Sequence, residues 1–456
     1  MPGSNHLAQL DIEGLIHPYT NLHLHQQAGP LIIERGEGIW LFDHQGRRYM
    51  DAFAGLWCAT LGHGNEELIE AARAQMERVA FTHLFSHRSN EPAILLAEKL
   101  KELAPCKTSK VLFCSSGSEA NDMQIKLTWY MNNALGRPQR KKIISRQRAY
   151  HGVTIASGSL TGLGFVQNDF DLPVNERFLY ARAPHHYREA EDGETEEVFS
   201  QRLARELEEL IAREGPETIA AFIAEPIMGA GGVIIPPEGY FQAIVPVLRE
   251  HGIRIISDEV ICGFGRTGEW FGCQAFGFTP DSISVAKALT SAYVPLGAIT
   301  IEEELYEAML AESEKQGLFG HGFTYTGHPV ACAVALKAIE IYEREDMPAR
   351  VRRLAPLFER RFRALAEHPL VGEVRVMGLV GAIELVADKD TKQPFDPALK
   401  MGARLDALCR EEGLLGRPIA GDNYGLCPPL VINEHEIEEM FGMLERALDK
   451  LPMRVD

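Results

Sequence analysis

The chain has 456 residues, 45% hydrophobic and 24% charged, the proportions of a folded globular protein large enough for two or three structural units. Its 46 lysines and arginines against 64 aspartates and glutamates leave a formal net charge of −18, and no basic run interleaved with aromatics occurs, which argues against nucleic acid as a partner. The 8 cysteines are scattered without a C-x-x-C pair, which argues against a disulfide framework or a metal site and for a reduced, cytoplasmic setting.

The opening MPGSNHLAQLDIEG lacks the basic and apolar regions of a signal peptide, and no apolar run in the chain is long enough to span a membrane. The first sixty residues read as loops and short strands. Ile32, Ile33 and 38–42 are strand-like, His44, Gln45 and Gly46 form a turn, and 48–50 resume the strand. A helix is expected over 66–79, with Leu68, Ala72, Met76 and Val79 on one stripe, and another over 92–103.

From residue 111 onward, short apolar runs alternate with helical stretches. VLFC (111–114) precedes a helix over 120–133, and KIIS (142–145) precedes a glycine-rich stretch. AAFIAEPI (220–227) precedes a helix over 240–250, followed by RIISDEV (254–260) and SISVAKA (282–288). Such alternation predicts an α/β fold, a mostly parallel sheet with helices on both faces. The acidic stretch 188–197 reads as a surface insertion. Past about residue 330 the pattern changes to helices over 330–343 and 350–366, a strand-like GLVGAIELV (378–386) and a closing helix over 434–451. We therefore expect a large domain over 66–330 and a smaller α+β domain over 331–456, to which the segment 1–65 contributes.

The chemistry-bearing segments lie at strand ends. SSGSEAND (115–122) opens a helix directly after VLFC, where Ser116, Gly117 and Ser118 offer amides and hydroxyls to an anion. Ordinary N-capping explains the same residues. Tyr150, before His151 and Gly152, is suited to stack on a flat heterocycle or to edge a core. Glu225 ends a strand, where open α/β sheets bind ligands, or is simply solvated there.

Asp258 ends RIISD and Lys287 follows SISVA. A lysine that forms a Schiff base and a carboxylate facing a pyridinium nitrogen are what pyridoxal phosphate (PLP) chemistry needs. The plainer readings are a structural strand-end acid and a surface lysine, although a lysine at a helix start opposes the helix dipole. GFGRTG (263–268) satisfies G-x-G-x-x-G, but the residues behind it do not read as a helix and no acid follows at the usual offset. A nicotinamide-dependent oxidoreductase is thus the weaker alternative.

Together, SSGSEAND, the Tyr150–Gly152 triplet, SDEVICGFGRTG and VAKALTSAYVPLGA resemble the class III, fold-type I PLP-dependent aminotransferases, over nearly the whole chain from about residue 36. GLWC (55–58), HGFTYTGHP (321–329) and GRP (416–418) are similar to the ω-amine or ω-amino-acid:pyruvate group. The resemblance implies a seven-stranded sheet, with Lys287 as the imine-forming residue and proton shuttle and Asp258 on the pyridinium. It implies Tyr150 and Val260 on the two ring faces, with His151 beside the first, and Glu225 near the ring edge. It places the phosphate on Ser116, Gly117, Ser118 and a second subunit's Thr324. Trp57 and Phe85 would line the substrate pocket, Phe85 toward the neighbouring site, and Arg417 would pair with a keto-acid carboxylate. The implied activity is ping-pong transfer from a primary amine or ω-amino acid to a keto acid, pyruvate foremost and giving alanine, in a homodimer, with a dimer of dimers left open. A mutase, racemase or decarboxylase of the same fold is the alternative within PLP chemistry.

Overall fold

The five apolar runs between 111 and 288 and two further strands, Phe178–Ala181 and Gly297–Ile301, form one sheet. Its spatial order is Lys110–Cys114, Gly297–Ile301, Ser282–Val285, Arg254–Asp258, Ile219–Ala224, Lys142–Arg146 and Phe178–Ala181. Only Gly297–Ile301 runs against its neighbours; the other pairs are parallel. The computed structural model that gives this fold describes residues 2–173 and 176–452.

All six positions of Ile219–Ala224 are buried, as a parallel strand covered on both faces requires. From Ala221 onward its side chains alternate between two cores. Phe222 packs with Phe199, Leu203 and Leu207 of the helix Glu196–Glu214 and with Phe241 and Ile244 of Tyr240–Glu250. Ala221 and Ile223 pack on the other side with Ile125 of the helix Gly117–Ala134. Helices start where a side chain can take a free amide: Asn65 accepts from the N–H of Leu68 at 3.2 Å and Thr195 from that of Val198 at 3.3 Å.

Two smaller sheets complete the fold. One joins Ile33–Glu37, Trp40–Asp43 and Arg48–Asp51 to Leu414–Leu415, so the first strands pair with the last quarter of the chain. The other is antiparallel, in the order Val371–Met377, Val380–Leu385, Asn423–Leu426 and Arg417–Ile419. No helix among the described residues is long and apolar enough to cross a membrane.

Some sequence expectations need correcting. The first sixty residues also contain the helices Pro2–Gly14 and Leu22–Ala28. The second buries no residue, so it carries no apolar stripe to read. Glu196–Glu214 and Glu303–Gln316 are further helices. The acidic stretch 188–197 is largely exposed but anchored at two points, where Arg188 donates to Glu384 at 2.6 Å and Glu194 accepts from Arg202 at 2.8 Å.

Candidate active site

Lys110–Cys114 and Ser282–Val285 both oppose Gly297–Ile301, so they point the same way as the rest of the large sheet. Ser116, Tyr150, Glu225, Asp258 and Lys287 all sit at or just beyond the C-terminal ends of these strands, the rim where open α/β sheets hold ligands.

The buried carboxylate of Asp258 accepts hydrogen bonds from Asn121 Nδ2 at 2.7 Å, His151 Nδ1 at 2.8 Å and the N–H of Val260 at 3.2 Å. An ionised carboxylate can only accept, which assigns the His151 proton to Nδ1. Asn121 Nδ2 also donates to the carbonyl of His151 at 2.7 Å. His151 Nε2 and Asn121 Oδ1 are buried without a partner among the described residues.

Lys287 opens a short 3₁₀ turn, Lys287–Thr290, with φ at 46°. That left-handed conformation costs a non-glycine residue roughly 1–3 kcal/mol, and such strain gathers at functional sites. Burial pushes the Lys287 amine below the ordinary lysine range, against the opposing pull of Asp258, Cys58 and Glu225.

Glu225 is buried and spends both oxygens on backbone: Oε1 accepts from the N–H of Tyr150 at 2.9 Å and Oε2 from that of Gly229 at 3.0 Å. Burial pushes its acid up. The Tyr150 hydroxyl accepts from Tyr19 at 3.3 Å, and the two rings meet edge to face at 6.4 Å. Tyr19 escaped the sequence reading because 131 residues separate the pair. Its segment is folded back by Asp11, which accepts from His17 at 3.0 Å and from His25 at 2.9 Å.

The Ser116 hydroxyl caps its helix by accepting from the N–H of Glu119 at 3.2 Å, so the plain capping chemistry is present. The amides of Gly117 and Ser118 follow in a first turn that has no intrahelical acceptors for them. A Cβ at Gly117 would come within 3.0 Å of a Val260 methyl, and one at Gly152 within 2.6 Å of Ser118 Oγ. This corner therefore needs glycine at both positions.

Trp57 is buried against Phe53, ring centroids 4.1 Å apart, and near Gly229. Arg417 lies in the short strand Arg417–Ile419. It is half-buried and forms no ion pair among the described residues, while Tyr19, Tyr150 and Asp406 act on its charge. Burial pushes this guanidinium down from its usual value. Phe85 and Thr324 lie outside this cluster, both exposed; the Phe85 ring packs at Gly322, two residues before Thr324.

The GFGRTG loop is occupied by packing. Arg266 is buried and donates to the carbonyls of Leu379 at 3.0 Å and Pro428 at 2.6 Å, and the next helix, Gly272–Ala275, has only four residues. So short a helix offers no N-terminal site for a pyrophosphate, and the dinucleotide reading falls.

The family model for Aminotransferase class-III matches residues 23–448. Gamma aminobutyrate transaminase 3, chloroplastic, of Solanum lycopersicum is 44% identical over 458 residues, covering 99% of this chain and 88% of that protein. The omega transaminase from Pseudomonas jessenii in complex with PMP superposes with a TM-score of 0.96 at 50% identity, covering 98% of each chain. A transaminase solved with L-ala matches with a TM-score of 0.90 at 50% identity, over 92% of this chain and 98% of that one.

Proposed function

The chain belongs to the class-III aminotransferases, PLP-dependent enzymes of fold type I, and we propose that it moves the amino group of a primary amine or ω-amino acid to a keto acid, pyruvate foremost, by a ping-pong mechanism. The residues fit the cofactor. A buried acid, a lysine within its field and a helix N-terminus flanked by hydroxyls answer to a pyridine nitrogen, an aldehyde and a phosphate. The close packing of Gly117 on Val260 and of Gly152 on Ser118 sets the first turn of that helix beside the loop that follows Asp258.

When bound, PLP supplies an aldehyde for the donor's amine and a protonated ring that withdraws electrons from the bond being broken. Asp258 keeps the ring nitrogen charged, and His151 and Asn121 orient its carboxylate. Lys287 Nζ, loosened from its proton by burial, takes a proton from the substrate carbon and returns it. Tyr150 and Val260 would hold the ring, and Glu225 fixes Tyr150 through its backbone N–H. Ser116, Gly117 and Ser118 hold the phosphate, with Thr324 from a second copy.

The single observation that carries the substrate reading is Arg417, a half-buried guanidinium that forms no ion pair among the described residues. A planar fork pairs with a carboxylate through two hydrogen bonds, and a carboxylate-free donor leaves it unused. The matching transaminase solved with L-ala supports pyruvate, whose amination yields alanine. Relatives named gamma aminobutyrate transaminases support an ω-amino acid donor. Trp57 and Phe85 complete the pocket.

Three further readings belong to the proposal. A homodimer is supported by Phe81, Phe85 and Tyr325, 42%, 46% and 59% exposed, which form an aromatic surface beside Thr324. The division into 66–330 and a smaller unit built from 1–65 and 331–456 is supported by the sheet joining Arg48–Asp51 to Leu414–Leu415. The free cysteines support a reducing, cytoplasmic compartment, although named relatives are chloroplastic and mitochondrial.

A donor panel with pyruvate, run on wild type and Arg417→Ala, tests the reading. Loss of keto-acid use with the amine half-reaction retained supports it; equal loss in both overturns it. Turnover without any added acceptor would point instead to a mutase, racemase or decarboxylase.

A further inference from the structure

Arg148 ties the hairpin that carries Arg417 to the segment that carries Tyr150. It stands two residues before Tyr150 in left-handed backbone, φ 67°. It is half-buried and forms no ion pair among the described residues. Its guanidinium is spent on main-chain carbonyls: Nε and Nη2 donate to Gly231 at 3.1 and 2.7 Å, and Nη2 reaches Ala420 at 3.4 Å. Ala420 lies in the turn between Arg417–Ile419 and Asn423–Leu426.

Asn423 Nδ2 donates to the same Ala420 carbonyl at 2.6 Å. Asn423 Oδ1 accepts from Arg375 Nη2, and Arg375 Nε donates to Gly232 at 3.0 Å. The loop 225–232 closes the circuit, because Glu225 accepts from the N–H groups of both Gly229 and Tyr150. A cation withdrawn from water without an acid is costly, so its presence asks for a role that a neutral side chain would not serve. Charge-assisted bonds to carbonyls are stronger than neutral ones and set two loops at a fixed spacing.

We propose that Arg148 and Asn423 are positioning residues for Arg417. They hold the Arg417 hairpin at a set distance from Tyr150, so that a carboxylate on Arg417 leaves the reacting carbon at Lys287. The inference rests on the reading of Arg417 as the cation for the substrate carboxylate.

The test follows each half-reaction of the holoenzyme separately by cofactor absorbance, with 1-phenylethylamine as donor and pyruvate as acceptor. The proteins are wild type, Arg148→Met, Arg148→Lys, Arg417→Met and the double variant with Met at both positions. Arg148→Met is expected to raise the pyruvate KM roughly three- to tenfold, the size of couplings between neighbouring residues, with the amine half-reaction held within about twofold. Arg148→Lys recovers part of the loss, since one ammonium lacks the fork that reaches both carbonyls. In the Arg417→Met background, Arg148→Met changes the pyruvate KM no further.

Equal losses in both half-reactions, or an undiminished effect of Arg148→Met without Arg417, overturn the proposal and leave Arg148 a structural role. A normal pyruvate KM in Arg417→Met removes the reading of Arg417 and this inference with it. A raised KM in Arg417→Met beside a normal one in Arg148→Met sinks the inference alone. Should Arg148→Met fold poorly by thermal melting, Arg148→Lys and Asn423→Ala carry the same comparison.

Discussion

His151 Nδ1 lies 2.8 Å from Oδ2 of Asp258, and both side chains are buried. A buried acid stays ionised only where donors or a cation face it. Here a histidine, an asparagine and a backbone amide supply the donors. Asp258→Asn keeps the shape and removes the charge from the pyridine nitrogen. We expect kcat to fall on the order of 10²–10³-fold, the cost of losing one preorganised electrostatic partner. Steady-state kinetics at saturating PLP checks this, and an Asp258→Asn enzyme with wild-type kcat contradicts it.

Gly152→Ala tests the phosphate corner. Its Cβ would lie 2.3 Å from Ser157 Oγ and 2.6 Å from Ser118 Oγ, at φ +140°. Overpacking costs about 1–3 kcal/mol, and here it also displaces a hydroxyl from the proposed anion site. Gly46→Ala is the control, since its φ is +81° and nothing lies within 4 Å. Both variants should melt lower than wild type. Only Gly152→Ala should lose PLP on dialysis, read from the cofactor absorbance.

Acid stability should report the buried ionic group beneath the Arg417 hairpin. Burial is the largest influence and works to raise the Glu373 and Glu384 acids, but Arg375 and His185, with Arg188 at Glu384, together outweigh it and hold both below the ordinary 4.5. Unfolded carboxyls near 4.5 take up protons that the folded ones refuse, so this stabilisation is complete above about pH 4.5 and is lost as pH falls below it. His185 acts with the same sign: burial lowers it from 6.5, so the unfolded imidazole protonates first and loss begins below about pH 6.5. The melting temperature should decline below pH 6.5 and more steeply below 4.5. Glu384→Gln should melt lower at neutral pH and show a shallower acid decline. A wild-type melting temperature that stays flat to pH 4 contradicts this.

Phe85→Glu places a charge in the aromatic surface beside Thr324. Burying an unpaired charge at an interface should weaken self-association roughly tenfold or more. Sedimentation should show the variant dissociating at concentrations where wild type is dimeric, with activity falling in step. A wild-type enzyme that sediments as a fully active monomer contradicts the dimer.

Much of this architecture was legible in the sequence. VLFC, KIIS, AAFIA, RIISD and SISV became strands because each is a short apolar run closed by turn residues, and all but the edge strand VLFC are buried parallel strands with no polar face to confuse the pattern. The rim of the sheet then gathered Ser116, Tyr150, Glu225, Asp258 and Lys287 without further information. The helix Glu196–Glu214 did carry a signal, Phe199, Leu203, Leu207 and Ile211 at helical spacing, but its acidic start masked it.

Other features had no local signal. Tyr19 meets Tyr150 only through tertiary folding, held by Asp11, His17 and His25. Asn121 stood inside SSGSEAND, yet its bond to Asp258 spans 137 residues. The strand that carries Arg417 gave no local signal, since it has only three residues and one of them is Pro418. This edge strand pairs on one side only, where Pro418 is tolerated.

Borohydride reduction of the holoenzyme, followed by proteolysis and peptide mass mapping, bears most directly on the chemistry assigned to Lys287. The pyridoxyl mass should appear on the peptide containing Lys287, and Lys287→Ala should take up none. A reduced adduct on a different lysine, or no adduct after reconstitution with PLP, would contradict the assignment.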